Sequence, residues 1–199
     1  MIEGGETVAL VGHNGAGKTT FLLLATGLLE PSAGRLFVSG HPAGSLPARA
    51  AVSFIPDTPA LYEDLSLAEH LEYVARLHGV DEWEERGFDL LERLGLGDRA
   101  DGLPRGFSRG MLQKASIALA LVRPFDLLLA DEPFDGLDPP SRQALSDLLD
   151  EAADGGAAVV VSTHRSEVVE RAGRCVALHD GSVVYDGPPD SAPGGWWED

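Results

Sequence analysis

The sequence predicts an α/β fold with a mainly parallel sheet, interrupted by an inserted block of helices. Three observations carry that expectation. Short apolar runs of strand length recur at residues 7–11, 51–55, 125–133 and 157–161, as expected of strands buried on both faces. The first run passes through a glycine-rich loop straight into a helix-forming run, Phe21-Leu22-Leu23-Leu24-Ala25. Between 61 and about 122 the strand pattern gives way to helical periodicity.

In order, Thr7-Val8-Ala9-Leu10-Val11 is the first strand, reached so soon after Met1 that an N-terminal antiparallel β subdomain is expected in truncated form. Pro31-Ser32-Ala33-Gly34 reads as a turn, 35–39 as a short alternating strand, and the Ala/Gly/Pro-rich stretch after Gly40 as a loop. Ala51-Val52-Ser53-Phe54-Ile55 is the next strand and ends at Pro56-Asp57. Ser66-Leu67-Ala68-Glu69 is a capping box, and Leu67, Leu71, Val74 and Leu77 then recur at helical spacing until Gly79. A second helix is expected from 82 to 94 with Phe88, Leu91 and Leu94 on one side, and a third is capped by Ser108. A helix from 141 to 152 buries Leu145, Leu148 and Leu149; the strand at 157–161 follows and ends at Ser162-Thr163-His164. A short helix from 166 to 171, strands around Val176 and Val183-Val184-Tyr185, and a Pro/Gly-rich tail ending in Trp196-Trp197 complete the chain. The expectation is one domain over 1–199, with 1–60 and 123–199 as α/β core and 61–122 as helical subdomain.

Composition excludes several partners. A net charge of −17, with Lys18 and Lys114 the only lysines and the arginines scattered, leaves no basic stripe for nucleic acid or anionic lipid. The longest apolar stretch, 21–29, is broken by Thr26 and Gly27, well short of the ~20 residues a spanning helix needs. Direct membrane insertion is therefore not expected. The single cysteine, Cys175, lies in an apolar run and reads as a buried thiol. His13, His41, His70, His78 and His179 show no metal-ligand spacing and read as ordinary.

The chemistry begins at Gly12-His13-Asn14-Gly15-Ala16-Gly17-Lys18-Thr19-Thr20, which fits the phosphate-loop pattern G-x-x-x-x-G-K-[ST] at every fixed position. Its glycines let successive N–H groups turn inward as a nest for phosphate oxygens at the positive end of a helix. Lys18 adds a charge for the β- and γ-phosphates, and the Thr19 hydroxyl can hold Mg²⁺. Gly12, Asn14, Gly15, Gly17, Lys18, Thr19 and Thr20 are thus the expected phosphate contacts of a phosphate-loop NTPase core.

The strand at 125–133 ends in Asp131-Glu132. Strands disfavour carboxylates, and adjacent ones repel, so the pair asks for a cation and a water to activate. Asp131 would reach Mg²⁺ and Glu132 would orient or deprotonate the attacking water.

The order of the pieces resembles the nucleotide-binding subunit of an ABC transporter over nearly the whole chain. The phosphate loop, Pro56-Asp57, the helical insert, Phe107-Ser108-Arg109-Gly110-Met111, 127–133, Gly136-Leu137-Asp138 and Ser162-Thr163-His164 occur in that family's sequence. The resemblance implies ATP and Mg²⁺ as ligands and a head-to-tail dimer, with itself or a related ATPase. Each nucleotide would lie between one phosphate loop and the partner's Ser108 and Gly110. It makes His164 the switch histidine at the γ-phosphate and places Asp57 where the family usually has a glutamine near Mg²⁺. Glu132, His164 and Asp57 are then the catalytic set, and Thr19, Asp131 and Asp57 the metal set. A separate membrane-spanning subunit would carry the cargo, with the chain at the inner face of the cell membrane; its docking groove would lie near 57–65, where Leu61, Tyr62 and Leu65 either offer apolar contact or pack into the core of the helical subdomain.

Departures qualify the likeness. Arg109 and Met111 replace a glycine and a glutamine of the usual signature, a variation that looks like exporter-type subfamilies. Family members stack the adenine on an aromatic residue upstream of the phosphate loop, and none precedes Thr7 here. Two explanations stay open: a start upstream of Met1, or weaker nucleotide binding, by about 1–3 kcal/mol for a lost base stack. Two other functions also remain: a soluble ATPase of this superfamily in cofactor assembly, or a nucleotide-binding regulatory module with little turnover. A GTPase is disfavoured, since no Asn-Lys-x-Asp is present, and a small-molecule kinase leaves Ser108 and His164 unexplained.

Overall fold

The phosphate loop and the acidic strand end belong to one six-stranded sheet, seen in a computed structural model that describes residues 1–192. The tail with Trp196 and Trp197 lies outside the described residues. The chain divides into two compact units: Met1–Phe54 with Phe125–Pro133 and Asp150–Asp199, and Ile55–Pro124 with Phe134–Leu149.

In the first unit, β1 (Thr7–Val11), β5 (Leu127–Asp131), β6 (Ala158–Ser162), β7 (Arg174–His179) and β8 (Ser182–Gly187) join β4 (Val52–Ile55) in the order β4-β5-β6-β1-β7-β8. The pairs β5/β6, β6/β1 and β1/β7 are parallel, and β7/β8 is antiparallel. Val8, Leu10, Leu129 and Val160 are buried in one cluster with Leu22 and Ala25 of α1 (Lys18–Thr26), while Ala9, Val11, Cys175 and Ala177 pack in another. Both faces of the central strands are therefore covered, which explains their unbroken apolar runs. Burial pushes the Cys175 thiol up to about 11, so it stays a packing residue.

Two local expectations are corrected. The strand at 35–39 shrinks to β2 (Phe37–Val38), because Ser39 (φ 50°) and Gly40 (φ 77°) turn the chain at once into β3 (His41–Pro42). Consecutive left-handed residues suit a two-residue hairpin. The stretch read as loop contains α2 (Leu46–Ala51), which also takes Ala51 from the strand. Ser45 accepts the Ala48 N–H as N-cap and Pro47 sits in the first turn, where its missing N–H costs nothing.

The second unit holds α3 (Leu67–Leu77), α4 (Glu84–Arg93) and α5 (Arg109–Leu121). The α3 capping box is complete: Ser66 Oγ accepts from Glu69 N at 3.2 Å, and Glu69 Oε2 accepts from Ser66 N at 2.7 Å. Leu67, Leu71, Leu90, Leu91, Leu94, Leu96, Ile117 and Leu121 are fully buried, each stabilising by about 1.5–3 kcal/mol. Leu77 and Phe88, expected inward, are exposed, because Leu90 and Leu91 take the buried face of α4 and Leu77 closes the last turn of α3. Helix α6 (Pro139–Asp154) starts in this unit and ends in the other, and α7 (Ser166–Arg171) lies wholly in the first.

Candidate functional site

The sheet register sets the site. Leu10 pairs with Ser162, and Ser162 with Asp131, so the ends of β1, β6 and β5 stand level along one edge. With strands ~4.8 Å apart, the two outer ends are ~10 Å from each other, and Gly12 continues β1 beyond that edge. This is where ligands bind in parallel sheets, outside the carboxyl ends of the strands.

The loop after β1 is shaped by backbone. Gly12, Gly15 and Gly17 have φ of 147°, 87° and 106°, the region open to glycine. At Gly12 a Cβ would also run into the Leu178 carbonyl. Ala16 N donates to His13 O at 3.0 Å, closing the turn, and α1 opens at Gly17 with no side chain capping it. Helix N–H groups left uncapped by side chains are what an anion needs. Lys18 is 8 % exposed, and its Nζ donates to the Gly12 carbonyl at 2.7 Å, so the ammonium is held over the loop. Thr19 and Thr20, in the first turn of α1, are exposed, as are Asn14 and Gly15.

The acidic pair is held by Ser162, which the sequence singles out only as the first residue of the Ser-Thr-His run. Ser162 Oγ donates to Asp131 Oδ1 at 2.5 Å and accepts from Glu132 N at 3.0 Å. Asp131 is thereby fixed while buried, and Glu132 turns off the strand at φ 45°, rare for a residue with a side chain. His164 Nδ1 lies 3.1 Å from Glu132 Oε2. Thr163 aims that histidine: its N–H donates to Leu10 O at 3.1 Å, and its Oγ1 accepts from Arg165 N at 3.1 Å. Only one clue to Ser162 lay in the sequence, its place in the Ser-Thr-His run.

The first unit thus brings together Gly12, Asn14, Gly15, Gly17, Lys18, Thr19, Thr20, Asp131, Glu132 and His164 on one sheet edge and the turns that leave it. Asp57, Ser108 and Gly110 belong to the second unit. Asp57 is exposed just after β4. Ser108 is exposed and caps α5 by accepting from Met111 N at 3.3 Å. Gly110 has a packing reason as well: a Cβ there would fall 2.8 Å from the Gly136 carbonyl. Lys114, also on α5, pairs with Asp138 at 3.1 Å. Hydrogen bonds from Ser141 and then Lys114 hold the Asp138 carboxyl below its usual range. No helix among the described residues is long and apolar enough to cross a membrane.

A nest of backbone amides, a lysine over it and a fixed carboxylate pair on the same edge define the phosphate-loop nucleotide-binding class. Comparison with known proteins narrows this. The family model described as ABC transporter matches residues 1–135. The chain is 40 % identical over 188 residues to the SkfA peptide export ATP-binding protein SkfE of Bacillus subtilis (strain 168), covering 93 % of this chain and 79 % of that protein. It is 36 % identical to the macrolide export ATP-binding/permease protein MacB 2 of Yersinia pestis bv. Antiqua (strain Antiqua), over 96 % of this chain but 30 % of that protein. A solved structure of the ATP binding subunit of an ABC transporter superposes with TM-score 0.91 and 39 % identity, over 96 % of this chain and 81 % of that one. The chain belongs to the ABC transporter ATP-binding family, whose members are in general ATPases that work with membrane partners.

Proposed function

We propose that this chain binds ATP with Mg²⁺ and hydrolyses it, powering a separate membrane-spanning subunit that exports its cargo. The observation that supports this most directly is the chain of contacts from Asp131 through Ser162 to Glu132 and on to His164, beside the lysine loop. The amides of residues 12–20 and Lys18 would cradle the phosphates, Lys18 exchanging its Gly12 carbonyl for phosphate oxygen. Thr19 and Asp131 would hold Mg²⁺, with Asp57 the further candidate ligand; the bound ion would neutralise charge on the phosphate oxygens. Glu132 accepts the proton of the attacking water, and His164 keeps that carboxylate oriented through its hydrogen bond.

Export is the direction that the named relatives support, since one serves peptide export and another macrolide export. A head-to-tail dimer would give a partner to Ser108, exposed at the start of α5, and to the half-buried Gly110 beside it. The membrane partner would dock at the groove of about 410 Å³ lined by Leu65, Glu69, Glu72, Tyr73, Arg76 and Leu77. Tyr62, 58 % exposed and edge-on to Tyr73, extends its apolar rim. The site would then work at the inner face of the membrane through that partner.

Glu132→Gln tests the reading, because it removes the base and preserves shape. ATP binding should persist and steady-state phosphate release should fall by about 10²-fold or more. Wild-type turnover in that variant would end the assignment of Glu132 as base.

A further inference from the structure

We propose that His13, His179 and Asp180 form a binding site for a divalent cation of the zinc class, separate from the Mg²⁺ site and independent of the ATPase reading. Far apart in sequence, they meet because backbone contacts fasten the β7–β8 turn to the phosphate loop. Gly181 N donates to Ala16 O at 2.9 Å, and the Leu178 carbonyl abuts Gly12. The turn itself runs through Asp180 (φ 47°) and Gly181 (φ 76°), which swings the Asp180 carboxylate toward the loop side. Backbone contacts thus bring the three residues together.

Their donor atoms are grouped as metal ligands can be. His13 Nδ1 is 2.9 Å from the Asn14 carbonyl. A carbonyl only accepts, so Nδ1 donates there and Nε2 is the ring nitrogen left to face a ligand. That backbone-anchored arrangement is how ligating histidines are oriented. His13 Nε2 faces one Asp180 oxygen at 3.6 Å, and His179 Nε2 faces the other at 3.7 Å. Both gaps are too long for hydrogen bonds. They are close to the ~3.3–3.4 Å that separates neighbouring ligands when bonds of ~2.0–2.1 Å point to tetrahedral corners. One ligand atom from each residue lies within 4.8 Å of the other two, and the imidazoles meet edge to face at 4.9 Å. Closing onto an ion draws these exposed side chains in from within 4.8 Å of one another toward the ~3.3–3.4 Å ligand spacing.

The donor set selects the ion. Two imidazole nitrogens and one carboxylate favour zinc, nickel or copper over the oxygen-seeking magnesium and calcium. Three protein ligands leave a coordination position for water. With side chains 46 %, 54 % and 79 % exposed, entry requires no opening, and a net charge of −17 draws cations in.

The test titrates untagged, chelator-treated, nucleotide-free chain with Zn²⁺ by calorimetry and with Co²⁺ by visible absorbance, in wild type, His179→Ala and Asp180→Asn. Asparagine tolerates the left-handed backbone at 180, and both positions are exposed, so folding should be unchanged by circular dichroism. Expected are one equivalent of Zn²⁺, the absorption bands of nitrogen-ligated Co²⁺, and affinity weakened about tenfold or more in each variant. No saturable uptake by wild type, or affinity retained in either variant, would overturn the proposal.

Discussion

The two units hold their candidate residues in different ways. In the first, the residues that would meet the phosphates and metal are locked by backbone conformation and buried polar contacts: Lys18 on the Gly12 carbonyl, Asp131 on Ser162, Glu132 by its own φ. In the second, Ser108 and Asp57 are exposed, and Ser108 makes one cap bond at a helix start. The first unit holds its proposed contacts in place within its own structure. The second leaves Ser108 and Asp57 exposed, the arrangement that the proposed head-to-tail pairing would call for.

The largest expected effect on that contrast comes from Lys18→Ala. The loop's amides remain, but a charge-assisted contact worth about 1.5–3 kcal/mol is lost, so ATP affinity should weaken roughly 10- to 150-fold. Filter binding with labelled nucleotide reads this directly. Unchanged affinity would mean that the buried ammonium only braces the loop, and the first unit would not be preorganised for phosphate.

A smaller effect compares two serines of the same chemistry. Ser162→Ala strips a buried carboxylate of its donor and Glu132 N of one of its two acceptors, at about 1–3 kcal/mol. Ser108→Ala removes an exposed cap, at about 1 kcal/mol or less. Urea denaturation should therefore rank Ser162→Ala as the more destabilised, while Ser108→Ala should lower ATPase activity out of proportion to its small loss of stability. The reverse ranking of stabilities would erase the distinction between a prebuilt and a completed site.

What could be read from sequence follows the same line between local and long-range causes. The strand, loop and helix at 7–26, the capping box at Ser66 and the short helix Ser166–Arg171 are written in neighbouring residues, and each forms where its local pattern places it. The carboxylates at 131 and 132 were legible because they violate strand preference. Ser162 was not, since a serine at a strand end violates nothing and matters only through the register that sets it level with Asp131. His13 and His179 read as ordinary for the same reason: their meeting depends on a hairpin turn bonded to a distant loop. Phe88 misled because spacing identifies a helical face without saying how wide the buried stripe is.

The smallest expected effect concerns charges away from the sheet edge that carries the site. Arg174 holds Asp186 through a bidentate pair at 2.5 and 2.8 Å and reaches Glu6 at 3.1 Å, tying β7 to β8 and to the start of β1. The Arg174 hydrogen bonds draw the Asp186 carboxyl below its ordinary range. Burial opposes the shift at Glu6, yet its hydrogen bonds to Glu3 and Arg174 still carry it downward. Carboxylates depressed in the folded state add stability above their unfolded values, near pH 4, and lose it as pH falls through the folded ones. Arg174→Ala should therefore cost on the order of 1 kcal/mol at neutral pH, discounted because Asp186 is 45 % exposed, and progressively less below about pH 4. Urea midpoints of both proteins at neutral and at acid pH test this: a gap that narrows with acid locates the stabilisation in the charged carboxylates. A constant gap would assign it to packing of the arginine stem instead, and the acid sensitivity of the first unit would have to reside elsewhere in its structure.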